Sequence, residues 1–269
     1  MAGAQTGEIR RRRKRAEVCK LVWEECGSPR TPHPCRGGAR IVPTQQWGWG
    51  RERVARDMAV MVKKGMFTLG PADLRRIFTR QAEPGDPPQG LTPAGVLVPV
   101  FFRDGVPHLL FTQRTHLVKD HRGQISFPGG VRDSRDPDLI ATALRESAEE
   151  IGLDPAVVEV CGTFRPVTTV TGYWVAPFVS LIPYPYSFRL NRREVARLLL
   201  LPLQGFLDAD RWRTGPYTYR DRTVLVCCWQ GDDDVIWGAT ARLLLNFLAC
   251  LGENPLAPEM RGSCELDEG

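Results

Sequence analysis

The clearest hydrophobic patterning begins at Val96. Val96 to Phe102 is an apolar run rich in β-branched residues, Asp104-Gly105 is the dipeptide of a tight hairpin turn, and His108 to Thr112 reads as the returning strand. Further strand patterns fall at 157–164, 174–182, 216–219 and 223–229. Helices are predicted over 137–151, 191–199 and 238–250. A shorter helix is predicted over 71–81, with Pro71 near its start and an i, i+3, i+4 stripe of Leu74, Ile77 and Phe78. Strands mixed with a few helices, without regular alternation, indicate an α+β class with a mixed sheet, not a doubly wound fold.

Proline and glycine punctuate the chain into segments. Pro84, Gly85, Pro87, Pro88, Gly90 and Pro93 form a linker, so 58–92 reads as a short helix plus linker and the main domain as 93–251. Residues 252–269 read as a flexible C-terminal tail. Residues 1–57 show no clear period: a basic run from Arg10 to Arg15 is followed by Pro29, Pro32, Pro34, Gly37 and Gly38, then Trp47-Gly48-Trp49-Gly50. They are read as a disordered basic arm or an over-extended translation start, with Met58, Met61 and Met66 as alternative starts and no role in the chemistry. Glu8, Glu17, Glu24 and Glu25 argue against a transit peptide, which is poor in acids.

Charge sharpens this division. The net charge of +5 conceals 13 Lys and Arg against 6 Asp and Glu in residues 1–57, and 23 against 25 in the remainder. The main domain is therefore mildly acidic, which argues against a nucleic-acid surface. No apolar run approaches the roughly 18 residues of a spanning helix. Eight cysteines form no C-x-x-C pair. Cys161, Cys227, Cys228 and Cys250 fall inside apolar patterns and read as reduced, buried thiols in a cytoplasmic protein. Cys19, Cys26, His33 and Cys35 have no standard zinc spacing.

The chemistry concentrates between Gly129 and Leu153. Asp136 is read as the N-cap of the 137–151 helix, with Pro137 at its first position and Gly152 as its terminator. Glu146, Glu149 and Glu150 lie at i, i+3 and i+4, so they share one face. Three clustered anions near a helix C-terminus stabilise nothing by themselves. Arg145 offsets only part of the charge. Hard oxygen donors without soft neighbours suit Mg²⁺ or Mn²⁺. The plain structural alternative is a solvated acidic helix end.

These residues resemble the Nudix box, G-x5-E-x7-R-E-U-x-E-E-x-G-U with U apolar. Arg145 to Leu153 match its second half, with Ser147 where U stands. Gly130 matches the leading glycine at one residue further away, and the box's first glutamate has no exact counterpart beyond the nearby Asp136 and Asp138. The insertion, with Asp133 and Asp136, is similar to the coenzyme A diphosphatase branch. So is the upstream run from Leu110 through Arg114 and Leu117 to His121-Arg122-Gly123-Gln124-Ile125-Ser126-Phe127-Pro128-Gly129-Gly130. Segments at 169–179, 188–202 and 236–242 also look like this branch.

The resemblance implies a Nudix fold, a mixed β-sheet flanked by helices in an α/β/α sandwich. It implies metal-dependent hydrolysis of the diphosphate of coenzyme A or its derivatives. Glu146, Glu149, Glu150 and the Gly130 carbonyl would hold the metal, Arg145 would orient a carboxylate, and Arg114, His121 and Gln124 would contact substrate. For the general base it leaves a box glutamate or Glu194, the latter reading otherwise as an exposed helix residue. A small-molecule nucleotide is the implied partner, without nucleic acid or membrane, and a homodimer is compatible with it. Hydrolysis of another nucleoside diphosphate derivative (ADP-ribose, a dinucleoside polyphosphate, a damaged nucleotide) is the first alternative. A non-catalytic Nudix-fold binding module is the second, although such modules usually lose box carboxylates and all three remain here. An isopentenyl diphosphate isomerase is the third, and Cys161 lacks the context for it.

Overall fold

The structure is a computed structural model, and it describes residues 69–79, 84–115, 123–219, 222–253 and 255. Its elements are α1 (Pro71–Phe78), β1 (Thr92–Arg103), β2 (Val106–Arg114), β3 (Ile125–Ser126), β4 (Gly129–Val131), α2 (Leu139–Ile151), β5 (Glu159–Thr163), β6 (Val167–Thr168), β7 (Tyr173–Leu181), β8 (Val195–Pro202), β9 (Trp212–Tyr219), β10 (Arg222–Gln230), β11 (Val235–Trp237) and α3 (Gly238–Cys250). The basic tail, its cysteines and His33, and His121 lie outside the described residues.

The predicted hairpin is β1–β2. Asp104 and Gly105 both take positive φ, 52° and 77°, which matches a primed turn to the twist of the strands. β1 then pairs in parallel with β7, from Thr92 opposite Tyr173 to Val100 opposite Leu181. The other pairings are antiparallel, so the eight-stranded sheet is mixed. Helix α2 seals one face with Ala143 and Ile151 on Leu97, Phe101, Leu110 and Phe178. On the other face Phe111 meets Phe127 and Phe206, and Phe206 meets Trp229 of the second, three-stranded sheet β9–β10–β11.

Helix α1 belongs to this packing although a proline- and glycine-rich linker separates it from β1. Leu74 and Phe78 are fully buried, and Phe78 lies against Phe164 and against Phe247 of α3. Burial of this order stabilises by about 1.5–3 kcal/mol per side chain.

Two sequence expectations are corrected. Residues 195–202 form strand β8, not a helix over 191–199: β8 hydrogen-bonds along β2 from His108 opposite Pro202 to Arg114 opposite Val195, filling the edge that β2 would otherwise leave open. The N-cap of α2 is Asp138, not Asp136. Its carboxylate accepts from Ala141 N–H at 2.7 Å, and the helix starts at Leu139. Asp136 is held elsewhere, because stronger donors claim it.

Candidate active site

The site forms where β1, β4 and α2 cross. Gly95 lets the helix sit on the strand, since a Cβ there would come within 2.2 Å of the Leu139 carbonyl oxygen. Gly130 does the same for chemistry: a Cβ would stand 2.5 Å from the Glu146 carboxyl carbon. A glycine is thus required where the β4 backbone meets the box carboxylate.

The three glutamates occupy different environments. Glu149 is exposed at the outer side of the face, Glu146 is half-buried, and Glu150 is buried. Gly129 N–H donates to Glu150 Oε2 at 3.3 Å, and Arg114 Nη1 lies 3.9 Å from Oε1. Burial pushes the Glu150 carboxyl up to about 7 against the opposing pull of Gly129 N–H and Arg114, and the charges of Glu146 and Glu194 push further up. Burial likewise raises Glu146, partly offset by Arg145. A bound cation would relieve the like-charge repulsion that helps raise these carboxyls.

Arg145 is clamped on both sides. Nε and Nη2 donate to Asp136 at 2.9 Å each, while Nη1 lies 2.9 Å from Glu146 Oε1 and 3.4 Å from Glu149. Asp136 also accepts from Thr142 Oγ1 and from Asp133 N–H, both at 2.9 Å. The Arg145 hydrogen bonds hold the Asp136 carboxyl well below the usual carboxylate range and raise Arg145 in turn. Of the two aspartates near the place of the box's first glutamate, Asp136, six residues past Gly130, is the one that pairs with Arg145, while Asp138 caps the helix.

The upstream segment closes against the same face. Arg114 N–H donates to the Gln124 carbonyl at 2.9 Å, which places Gln124 and Arg114 side by side. The Arg114 Nε is buried without a hydrogen-bond partner among the described residues. Past β2, Thr115 N–H donates to the Glu194 carbonyl at 2.8 Å, and Asn191 N–H donates to the Glu150 carbonyl at 2.8 Å. Asn191 Nδ2 holds Glu194 Oε1 at 3.0 Å. Glu194 is thus a half-buried turn residue whose charge reaches Glu146 and Glu150, not an exposed helix residue. Its sequence signal was hidden by the helical propensity of the segment.

Among the described residues no three acidic, histidine or cysteine side chains already have the spacing of a formed metal site. The donor set still fits a hard divalent cation: two carboxylates raised by burial and mutual repulsion stand beside the glycine pair, Glu146 at Gly130 and Glu150 on the Gly129 amide, and both are hard oxygen donors.

Comparison with known proteins decides the family. Residues 91–216 match the NUDIX domain. Over 162 residues the chain is 38% identical to the uncharacterized Nudix hydrolase NudL of Salmonella paratyphi B (strain ATCC BAA-1250 / SPB7), covering 60% of this chain and 84% of the relative. The NudL of Salmonella newport (strain SL254) gives the same figures. This chain belongs to the Nudix hydrolase family. It is an enzyme that acts on nucleoside diphosphate derivatives, a family chemistry that generally uses divalent metal ions. Among solved structures, a MutT/nudix protein from Enterococcus faecalis is 16% identical, covers 78% of each chain and superposes with a TM-score of 0.39. A C. elegans Ap4A hydrolase binary complex is 18% identical over 41% of this chain and 80% of its own, with a TM-score of 0.37. Among the described residues of this Nudix hydrolase no helix is long and apolar enough to cross a membrane.

Proposed function

We propose that this Nudix hydrolase cuts the diphosphate of coenzyme A or its acyl derivatives, giving 4′-phosphopantetheine (or its acyl form) and adenosine 3′,5′-bisphosphate. One observation carries the reading. Within the upstream signature resembling the coenzyme A branch, the Gln124 carbonyl accepts from the Arg114 N–H and the Arg114 guanidinium stands beside Glu150 of the box.

Glu146, Glu149, Glu150 and the Gly130 carbonyl would hold Mg²⁺ or Mn²⁺. When bound, the cation neutralises the diphosphate and acidifies water at the site. Arg145, anchored by Asp136, keeps Glu146 and Glu149 in place. Arg114, with its guanidinium beside Glu150 and its Nε without a hydrogen-bond partner among the described residues, would pair with a phosphate oxygen, for which a guanidinium is suited. The resemblance assigns Gln124 and His121 to substrate as well. Water attacks one phosphorus, the bridging oxygen leaves with the other, and a carboxylate takes the water's proton. Glu194 suits that last role, because Asn191 holds its carboxylate and its charge reaches Glu146 and Glu150.

The test is mass spectrometry of coenzyme A, acyl-coenzyme A and ADP-ribose incubated with the enzyme and Mg²⁺ or Mn²⁺, beside Glu149→Gln. Adenosine 3′,5′-bisphosphate and 4′-phosphopantetheine from the wild type alone support the reading. Intact coenzyme A beside cleaved ADP-ribose overturns the substrate and leaves the family chemistry standing.

A further inference from the structure

The Gly123–Gln124 backbone is held by a chain of three side chains that starts in the second sheet. The turn between β10 and β11 is closed by Gly231 N–H donating to the Asp234 carbonyl at 2.8 Å. The Asp234 carboxylate, only 15% exposed, pairs with the Arg197 guanidinium of β8. Arg197 Nε donates to Gln113 Oε1 at 2.6 Å, and Gln113 Nε2 donates to the Gly123 carbonyl at 3.1 Å. Gln113 stands opposite Arg197 on one side and Ile125 on the other, so it bridges β8 to the segment that leads into β4.

The order of donors gives this chain a direction. A primary amide has one acceptor end and one donor end. Arg197 has no acceptor and claims the Gln113 oxygen, so the Gln113 NH₂ must face Gly123. Without Arg197 the Gln113 oxygen loses its donor, and the side chain is no longer held in the place that brings its NH₂ to the Gly123 carbonyl. Gly123 has φ +69°, and Gln124 accepts from the Arg114 backbone. Losing the Gln113 donor therefore loosens the backbone beside Arg114.

We propose that Asp234, Arg197 and Gln113 are positioning residues that fix the Gly123–Gln124 backbone and, through it, the seating of substrate against Arg114. The second part rests on the reading above that Arg114 and Gln124 contact substrate. With its Arg197 side half-exposed, the Arg197–Asp234 pair adds about 1 kcal/mol to stability. Its loss registers in substrate binding, not in melting.

Hydrogen–deuterium exchange of the 123–128 peptide, with KM and kcat for coenzyme A and Mg²⁺, tests this on the full chain. Arg197→Met raises exchange and KM about tenfold, the worth of one net hydrogen bond, and leaves kcat within about twofold. Gln113→Glu keeps an acceptor for Arg197 but cannot donate to Gly123. It raises exchange equally, whereas a simple ion-pair role leaves it at the wild-type level. Unchanged exchange in both variants overturns the relay. Raised exchange with unchanged KM upholds the relay and removes this backbone from substrate binding, which overturns the reading it rests on. If coenzyme A is not cleaved at all, exchange alone decides the relay.

Discussion

Asp136→Asn is the sharpest probe of the site's framework. Four donors converge on this carboxylate: Arg145 Nε and Nη2, Thr142 Oγ1 and the Asp133 amide, each at 2.9 Å. Asparagine offers one acceptor end and one donor end. If its NH₂ takes the Oδ2 place it faces three donors, and if it takes the Oδ1 place it faces Arg145 Nε. The better orientation still loses one charged hydrogen bond and the ionic attraction. Hydrogen bonds to charged groups contribute about 1.5–3 kcal/mol, and Arg145 keeps Glu146 as a partner, so the expected loss is about 2–3 kcal/mol. For a domain of this size that lowers Tm by roughly 5–10 °C. The sign with pH follows from the depressed Asp136 carboxyl: its stabilisation is present above the ordinary value near 3.8 and is lost as the pH falls through the lower folded value. Urea and thermal denaturation of wild type and variant at pH 7 without metal measure the difference, and the gap narrows on acidification. Asp138→Asn is the control. Asparagine caps as well as aspartate, so it changes stability by less than about 0.5 kcal/mol. A melting temperature for Asp136→Asn equal to wild type, or a larger loss in Asp138→Asn, refutes the assignment of the two aspartates.

Three further outcomes are expected. The Glu150 carboxyl, raised by burial from 4.5 to about 7, costs stability as pH rises between those values, by about 3 kcal/mol at full ionisation without metal. Glu150→Gln flattens that stretch of the stability-against-pH curve in chelator while activity drops at least about a hundredfold (about 2.7 kcal/mol), and a curve parallel to wild type would sink the idea. Gly130→Ala forces the Glu146 carboxyl away from β4, because the new methyl would stand 2.5 Å from its carbon. Its kcat falls about tenfold or more with circular dichroism unchanged, and near-normal turnover contradicts the role given to that contact. Ser180 is buried with no hydrogen-bond partner for its hydroxyl among the described residues, so Ser180→Ala gains about 1 kcal/mol in urea denaturation, and a loss of that size shows that the hydroxyl has a partner.

What the sequence could tell depended on whether local and tertiary demands agreed. At Asp104-Gly105 they did, because a turn needing two positive φ values announces itself in its dipeptide. The box glutamates were equally legible, since i, i+3, i+4 spacing on a helix fixes a common face. Residues 195–202 were not legible. Val195 and Leu199, the two fully buried positions, are four apart, which is one face of a helix and equally one face of a strand. The choice was made by β2, whose open edge takes seven residues of backbone pairing from whatever segment arrives there. That choice carries the chemistry with it. A helix over 191–199 would leave Glu194 on a solvated surface. A strand that begins at Val195 puts Glu194 in the turn before it, pinned to Thr115 and Asn191 beside Glu150. The same strand faces Arg197 toward Gln113. Glu194 and Arg197 thus owe their places to a pairing partner more than 80 residues upstream, a dependence that no local pattern contains.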